Sequence, residues 1–272
     1  METPAPPLAA HLLARLEPCA VPVLLTSATT LARWALRPDE ADASRLADVA
    51  LRDPLLCLRV LQHVAAAFGS RLSTPVQTVT GALVLLGIEP FFRAFTGLPV
   101  LEERTAAHPG ATAAALACVT RAHAAARIAT AFAVHRQDDD VELLHQAALL
   151  HDFTELLLWC EAPREAAALK VLRQQEPQRG DEELQRSVLG GTLEEVAAEW
   201  LERWQLPPGL CATARSWDPE GPGGRSVRLA LRIARHLDKG WGNALLAADL
   251  ERAGGLLNLP PAGVASLVRH AL

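Results

Sequence analysis

The sequence has almost none of the Val, Ile and Thr alternation that marks strands, no tyrosine, and only two lysines, Lys170 and Lys239, among 26 basic residues. Its five cysteines, Cys19, Cys57, Cys118, Cys160 and Cys211, are an odd number with no two close enough for a zinc or dithiol motif, so they read as small buried hydrophobes. The N-terminus lacks a basic n-region. The longest uncharged run, Leu72 to Ile88, carries Ser, Thr, Gln and Pro and falls short of the ~20 apolar residues of a membrane span. A cytoplasmic protein with no membrane partner is expected. A net charge of -5 argues against a dedicated nucleic-acid binder, whose footprint is a basic surface. No Gly-rich phosphate loop links a strand to a helix, and no Ser or Cys sits in an elbow or triad context.

What is present is a chain of 272 residues, half of them hydrophobic, long enough to bury a substantial core. Apolar residues recur with a 3.6-residue period from end to end, which makes the class all-α. Asp53-Pro54 caps and starts a helix with Leu58, Leu61, Ala65 and Phe68 inward. Thr74-Pro75 is expected to start the next, with Val76, Val79, Leu83 and Leu86 inward and Gly87 as its stop. The passage around His108-Pro109-Gly110 divides a helical part, 20–110, from a second, 111–272, with 1–19 as an N-terminal extension. The second part opens on a long helix from about Ala111 to Arg136. Thr192 with Glu195 forms a capping box before Leu193, Val196, Ala197, Trp200, Leu201 and Trp204. Leu206-Pro207-Pro208 breaks that helix, a short helix carries Cys211 to Trp217, and Gly221-Pro222-Gly223-Gly224 reads as a loop. Ser226 is expected to cap a helix with Val227, Leu231, Ala234 and Leu237 facing in, before one or two short helices near Val264, Leu267 and Val268.

The stretch Ala147-Ala148-Leu149-Leu150-His151-Asp152 puts a His-Asp pair at the end of an apolar helix, where a polar pair needs a reason. His123 lies on the stripe of Leu116, Val119, Ala126 and Thr130 and can point inward toward His151. Imidazoles and a carboxylate gathered from two helices are the beginning of a metal site that could polarise a phosphate ester. The structural reading, which is favoured, makes His123 and His151 hydrogen-bonded core histidines and pairs Asp152 with Glu155 as a capping box for the helix Phe153 to Cys160. His145 falls on another face and reads as a surface residue. Arg225, Arg228, Arg232 and Arg235 follow one side of their helix opposite its apolar stripe. Such a row can offer guanidinium groups to a phosphate or an acidic partner, although a solvated face is the favoured reading.

Several segments together resemble the HDOD (HD-related output domain) family, a regulatory branch of the HD phosphohydrolase superfamily. These are Leu46 through Leu56 with its Asp53-Pro54 turn, Ser73-Thr74-Pro75-Val76 through Leu85-Leu86-Gly87, His123 with Arg127 and Ala129, Leu149-Leu150-His151-Asp152, and Trp204-Gln205-Leu206-Pro207. The resemblance spans about residues 20 to 240. It implies that the position of a downstream ligand histidine is occupied by Leu193, and that a later one falls near Ser216-Trp217-Asp218, where only Asp218 could coordinate. The segment Leu229 to His236 has no aspartate before Asp238, which the resemblance does not place at a ligand position. Related cyclic-dinucleotide phosphodiesterases carry a Lys where this chain has Glu155, and a Gly-Tyr-Pro motif that a chain without tyrosine cannot have.

The expectation is therefore an N-terminal helical bundle packed on a degenerate HD-like helical bundle, with no catalytic residue, no bound metal and no cofactor. The resemblance implies a stand-alone bacterial signal-transduction module that contacts a separate signalling protein. Two alternatives stay open. One is a metal-dependent phosphohydrolase acting on a nucleotide or phosphate ester through His123, His151 and Asp152. The other is a non-catalytic nucleotide receptor using the arginine row.

Overall fold

The computed structural model describes residues 20–69, 76–204, 206 and 221–272. Among these residues there are helices and no strands, as the 3.6-residue period predicts. The one extended contact is an isolated parallel bridge, in which Val23 N–H donates to the Pro99 carbonyl at 2.8 Å and Leu101 N–H to the Val23 carbonyl at 2.8 Å.

Contacts group the chain into two units that interleave in sequence. One is made from the described residues of Met1–Leu116 and Phe153–Pro207, the other from those of Ala117–Asp152 and Pro208–Leu272. The first unit begins with α1 (Leu25–Ala35), α2 (Ala43–Ala50), α3 (Pro54–Phe68), α4 (Val79–Leu86), α5 (Ile88–Phe95) and α6 (Leu101–Thr105). Asp53 starts α3 as expected: its Oδ1 accepts the amides of Leu55 and Leu56, while Oδ2 accepts that of Leu24 at 2.7 Å. The next helix is capped by the Thr78 hydroxyl; the expected start at Thr74-Pro75 lies outside the described residues. Gly87 stops α4 with φ 79° and ψ 160°, a backbone state open essentially only to glycine, and α5 begins at the following residue. Phe91 and Phe95 stack at 4.7 Å at the centre of this part, and His63 meets the edge of Phe95 at 5.3 Å.

Helix α7 (Ala111–Arg136) has the expected bounds and contributes to both units. Its many alanines leave little side-chain bulk, and Ala115, Ala125, Ala126, Ile128, Ala129 and Phe132 are fully buried. After α8 (Val141–Leu150), the first unit resumes with α9 (Phe153–Glu161), α10 (Pro163–Gln175), α11 (Asp181–Leu189) and α12 (Leu193–Arg203). The Thr192–Glu195 capping box forms in both directions, at 3.1 and 2.9 Å. A polar chain ties these four helices together: Glu155 accepts from Arg173, Arg173 donates to Asp181, Gln185 donates to Asp181, and Leu193 N–H donates to Gln185. Behind it, Phe153 packs near Trp200, which stacks on Trp204 at 5.5 Å.

The second unit ends with α13 (Pro222–Leu237), α14 (Ala244–Leu257) and α15 (Pro261–Ala271); α13 packs on both α8 and α14. Two expectations change here. Gly221-Pro222-Gly223-Gly224 is not a loop, because Pro222 has its φ preset for the first helical position and Gly221 takes the N-cap. Ser226 consequently lies one turn inside α13, fully buried, and is not the cap. The expected short helix from Cys211 to Trp217 lies outside the described residues, and the closing helices run to 14 and 11 residues. Cys57, Cys118 and Cys160 are free and buried; burial pushes the Cys160 thiol up to about 12, which removes it from nucleophilic chemistry. Among the described residues no helix is long and apolar enough to cross a membrane.

Candidate functional site

His151 and Asp152 occupy the turn between α8 and α9, where the buried run Ala147–Leu150 ends. His151 Nδ1 lies 2.7 Å from Asp152 Oδ1, but His151 is exposed and not the core histidine expected, since its ring sits on the outside of the turn. What surrounds the pair is cationic. Arg235 from α13 donates to the same Oδ1 at 2.9 Å, and Arg121 from α7 approaches Oδ2 at 3.4 Å. Arg121 also lies 3.9 Å from Asp238 Oδ2. Burial alone would raise the Asp152 pKa, but the His151 hydrogen bond and the charges of Arg235, His151 and Arg121 outweigh it and hold the carboxyl well below its ordinary range.

A metal of the HD type would need this carboxylate as a ligand together with imidazoles and carboxylates from several helices. Among the described residues no group of three or more His, Cys, Asp or Glu side chains is placed to hold a metal ion. His123 is half-buried on α7 and does not join His151 and Asp152 in such a group. Both Asp152 oxygens already face guanidinium nitrogens, and a divalent cation placed there would meet two fixed positive charges. Among the described residues, those around Asp152 do not fit the metal. Leu193 is buried on α12, and Ser216, Trp217 and Asp218 lie outside the described residues. Glu155, in place of a lysine, accepts from Arg173 at 3.1 Å, where a second cation would be repelled. His145 is not a surface residue: it is half-buried, with Nδ1 2.9 Å from the Thr130 hydroxyl.

The arginine row is also more than a solvated face. All four side chains reach solvent, yet Arg235 pairs with Asp152 and Arg232 with Asp249, which is fully buried on α14. Asp249 Oδ1 lies 2.7 Å from Arg232 and 3.2 Å from Arg252, and its Oδ2 lies 2.7 Å from His236 Nδ1. Two of the four arginines, Arg232 and Arg235, are thus anchored on buried carboxylates. Helical spacing reveals that the arginines share a face, whereas their partners stand on other helices. Arg121, Asp249 and Arg252 consequently carry no local sequence signal of their role. Arg121 precedes His123 by two residues and points to its other neighbours only after folding.

The HDOD domain family matches residues 21–218. No curated protein matches the chain. Among solved structures, the MmoQ response regulator of Methylococcus capsulatus is 24% identical, with 92% of this chain and 98% of that one covered and a TM-score of 0.69. A virulence factor of Campylobacter jejuni is 15% identical over 97% and 99% of the two chains, with a TM-score of 0.67. An HDOD domain protein of Geobacter sulfurreducens is 18% identical over 97% and 93%, at 0.51. These likenesses are of fold.

Proposed function

Because the chain belongs to the HDOD family, we propose that it is a non-catalytic regulatory module of bacterial signal transduction that acts through contacts with a separate signalling protein. The observation that carries this reading is the fate of Asp152. The carboxylate that an HD phosphohydrolase would spend on a metal is here shared by His151, Arg235 and Arg121. A general-acid role suits it no better, since a carboxyl held far below neutral pH has no proton to give. The pair instead joins the α8–α9 turn to α7 and α13, which is structural work within one unit. Likeness of fold to a response regulator supports signalling as the setting.

The purified chain, assayed with bis(p-nitrophenyl) phosphate and nucleoside monophosphates in the presence of manganese, magnesium, iron or zinc, is expected to show no turnover above background. Turnover that disappears in the His151→Ala, Asp152→Ala double variant would overturn the reading and put the metal-dependent phosphohydrolase in its place. Affinity capture of the tagged chain from its native host tests the positive half. A stoichiometric signalling protein is expected, and recovery of the chain alone would count against a module that works by contact.

A further inference from the structure

The second unit contains a feature that the His-Asp pair does not use. A cavity of about 640 Å³ opens between α13, α14 and the end of α7, walled by five arginines, Arg136, Arg225, Arg228, Arg232 and Arg252, with no acidic side chain among the described residues of its lining. Arg225, Arg228 and Arg232 stand at i, i+3 and i+7 of α13 and so share one face. Five guanidinium groups around one space repel each other unless anions lie nearby, and the chain as a whole is acidic, at -5. A multivalent anion is what this concentration of charge would take.

The arginines are also held in place. The fully buried Asp249 accepts from Arg252 and forms an ion pair with Arg232, and Arg136 Nε sits 3.2 Å from both oxygens of Asp138. Each anchored guanidinium has five N–H donors, and these contacts engage only part of them, so the rest stay available in a fixed orientation. Arg225 is exposed and has no carboxylate partner among the described residues.

The rest of the wall argues for something larger than inorganic phosphate. The volume falls within the roughly 300–1,000 Å³ of small-molecule sites. Leu229 and Leu256, both half-exposed, supply an apolar side suited to a base or sugar. Gly255 lines the same space from inside α14. Its neighbour Gly254 is required by the fold, since a Cβ there would come within 2.6 Å of the Leu259 carbonyl oxygen. At Gly255 a Cβ would meet nothing within 4 Å, so packing does not demand glycine, and alanine would be the better helix former. Its missing side chain keeps the wall open for a close approach.

We infer that this cavity is a binding site for a nucleoside polyphosphate, with the phosphates on Arg136, Arg225, Arg228, Arg232 and Arg252 and the nucleoside against Leu229, Leu256 and Gly255. The site is independent of the HDOD reading above and requires no hydrolysis.

The test is isothermal titration of the full chain with ATP, GTP, inorganic tripolyphosphate and the nucleosides adenosine and guanosine. ATP or GTP should bind saturably and at least about tenfold more tightly than tripolyphosphate, and the nucleosides should not bind. Arg225→Gln should weaken nucleotide binding about tenfold or more, the loss expected for one charge-assisted contact. Gly255→Glu should abolish it while leaving the unliganded melting temperature close to wild type, and Gly255→Ala should weaken it by a smaller factor. Failure of every phosphate probe to bind would overturn the inference, as would binding indifferent to Arg225→Gln and Gly255→Glu. Tripolyphosphate binding as tight as ATP would overturn the nucleoside assignment.

Discussion

At the scale of single residues, two buried carboxylates organise the second unit, and each meets a histidine and two arginines, some of them from other helices. Asp152 faces His151, Arg235 and Arg121; Asp249 faces Arg232, Arg252 and His236. Removing the charge at the first site takes the Asp152 carboxylate away from two guanidiniums, one of them only 17% exposed. Asp152→Asn should therefore destabilise the protein by about 2–3 kcal/mol at neutral pH, measured by urea denaturation. The pH dependence has a definite sign. The folded carboxyl titrates well below its ordinary 3.8, so its contribution is complete above that value and is lost as the pH falls below it toward the folded pKa. Wild-type melting temperature should consequently fall more steeply than that of Asp152→Asn once the pH drops under 3.8, and parallel acid limbs would contradict this. The arginine row separates in the same way. Arg225→Gln should change stability by less than ~0.5 kcal/mol, as exposed substitutions usually do. Arg232→Gln should cost about 1–2 kcal/mol, because it removes a charge partner from a fully buried carboxylate. Equal stabilities for the two variants would refute that contrast.

At the scale of helices, the ends carry much of the specification. Asp53 receives three backbone amides, two from its own helix and one from Leu24. Burial nevertheless pushes its pKa up, against the donors Leu24, Leu56, Ser27 and Leu55, so the charge costs more than the hydrogen bonds return. Asp53→Ala should lose roughly 2 kcal/mol or more, whereas Asp53→Asn keeps the acceptor for the helix amides and should lose about half as much. An equal loss in the two variants would show that the charge, and not the cap, is what matters. On α12, Leu193→His would place an unpaired ring beside buried Val196, Ala197 and Trp200 and should cost about 1–3 kcal/mol by thermal denaturation. Helices α10 and α11 are absent from the periodicity reading because their apolar faces are narrow, with Ala166 and Leu169 buried on one and Leu184 and Leu189 on the other. Their ends were nevertheless marked, by Pro163 at the first position of one and by Gly180, three acidic residues and the left-handed Gly190 around the other.

At the scale of the whole molecule, the interleaving of the two units makes a prediction about fragments. The first unit takes α1 to α6 from before α7 and α9 to α12 from after it, and α9 packs on α6. A fragment of residues 20–110 would expose the side of α6 that α9 covers and should not fold stably; a cooperative melt from that fragment would refute this. Fold class, the caps at Asp53 and Thr192, the bounds of α7 and the His151–Asp152 pair were all legible in the sequence, because each depends on residues within a turn or two of one another. The match to the HDOD family agrees with the resemblance read from those same segments. The site's character was not legible in that way. Arg235 lies 83 residues from Asp152 and Arg121 lies 31 from it, and helical spacing reports which side chains share a face without naming what stands opposite. The cavity between α13 and α14 has the same origin, since it exists only where two faces, each ordinary by itself, are brought together around buried Asp249. Local periodicity determined the helices and their inward sides; which charge meets which, and whether a carboxylate meets a metal or an arginine, was decided by packing between residues far apart in the chain.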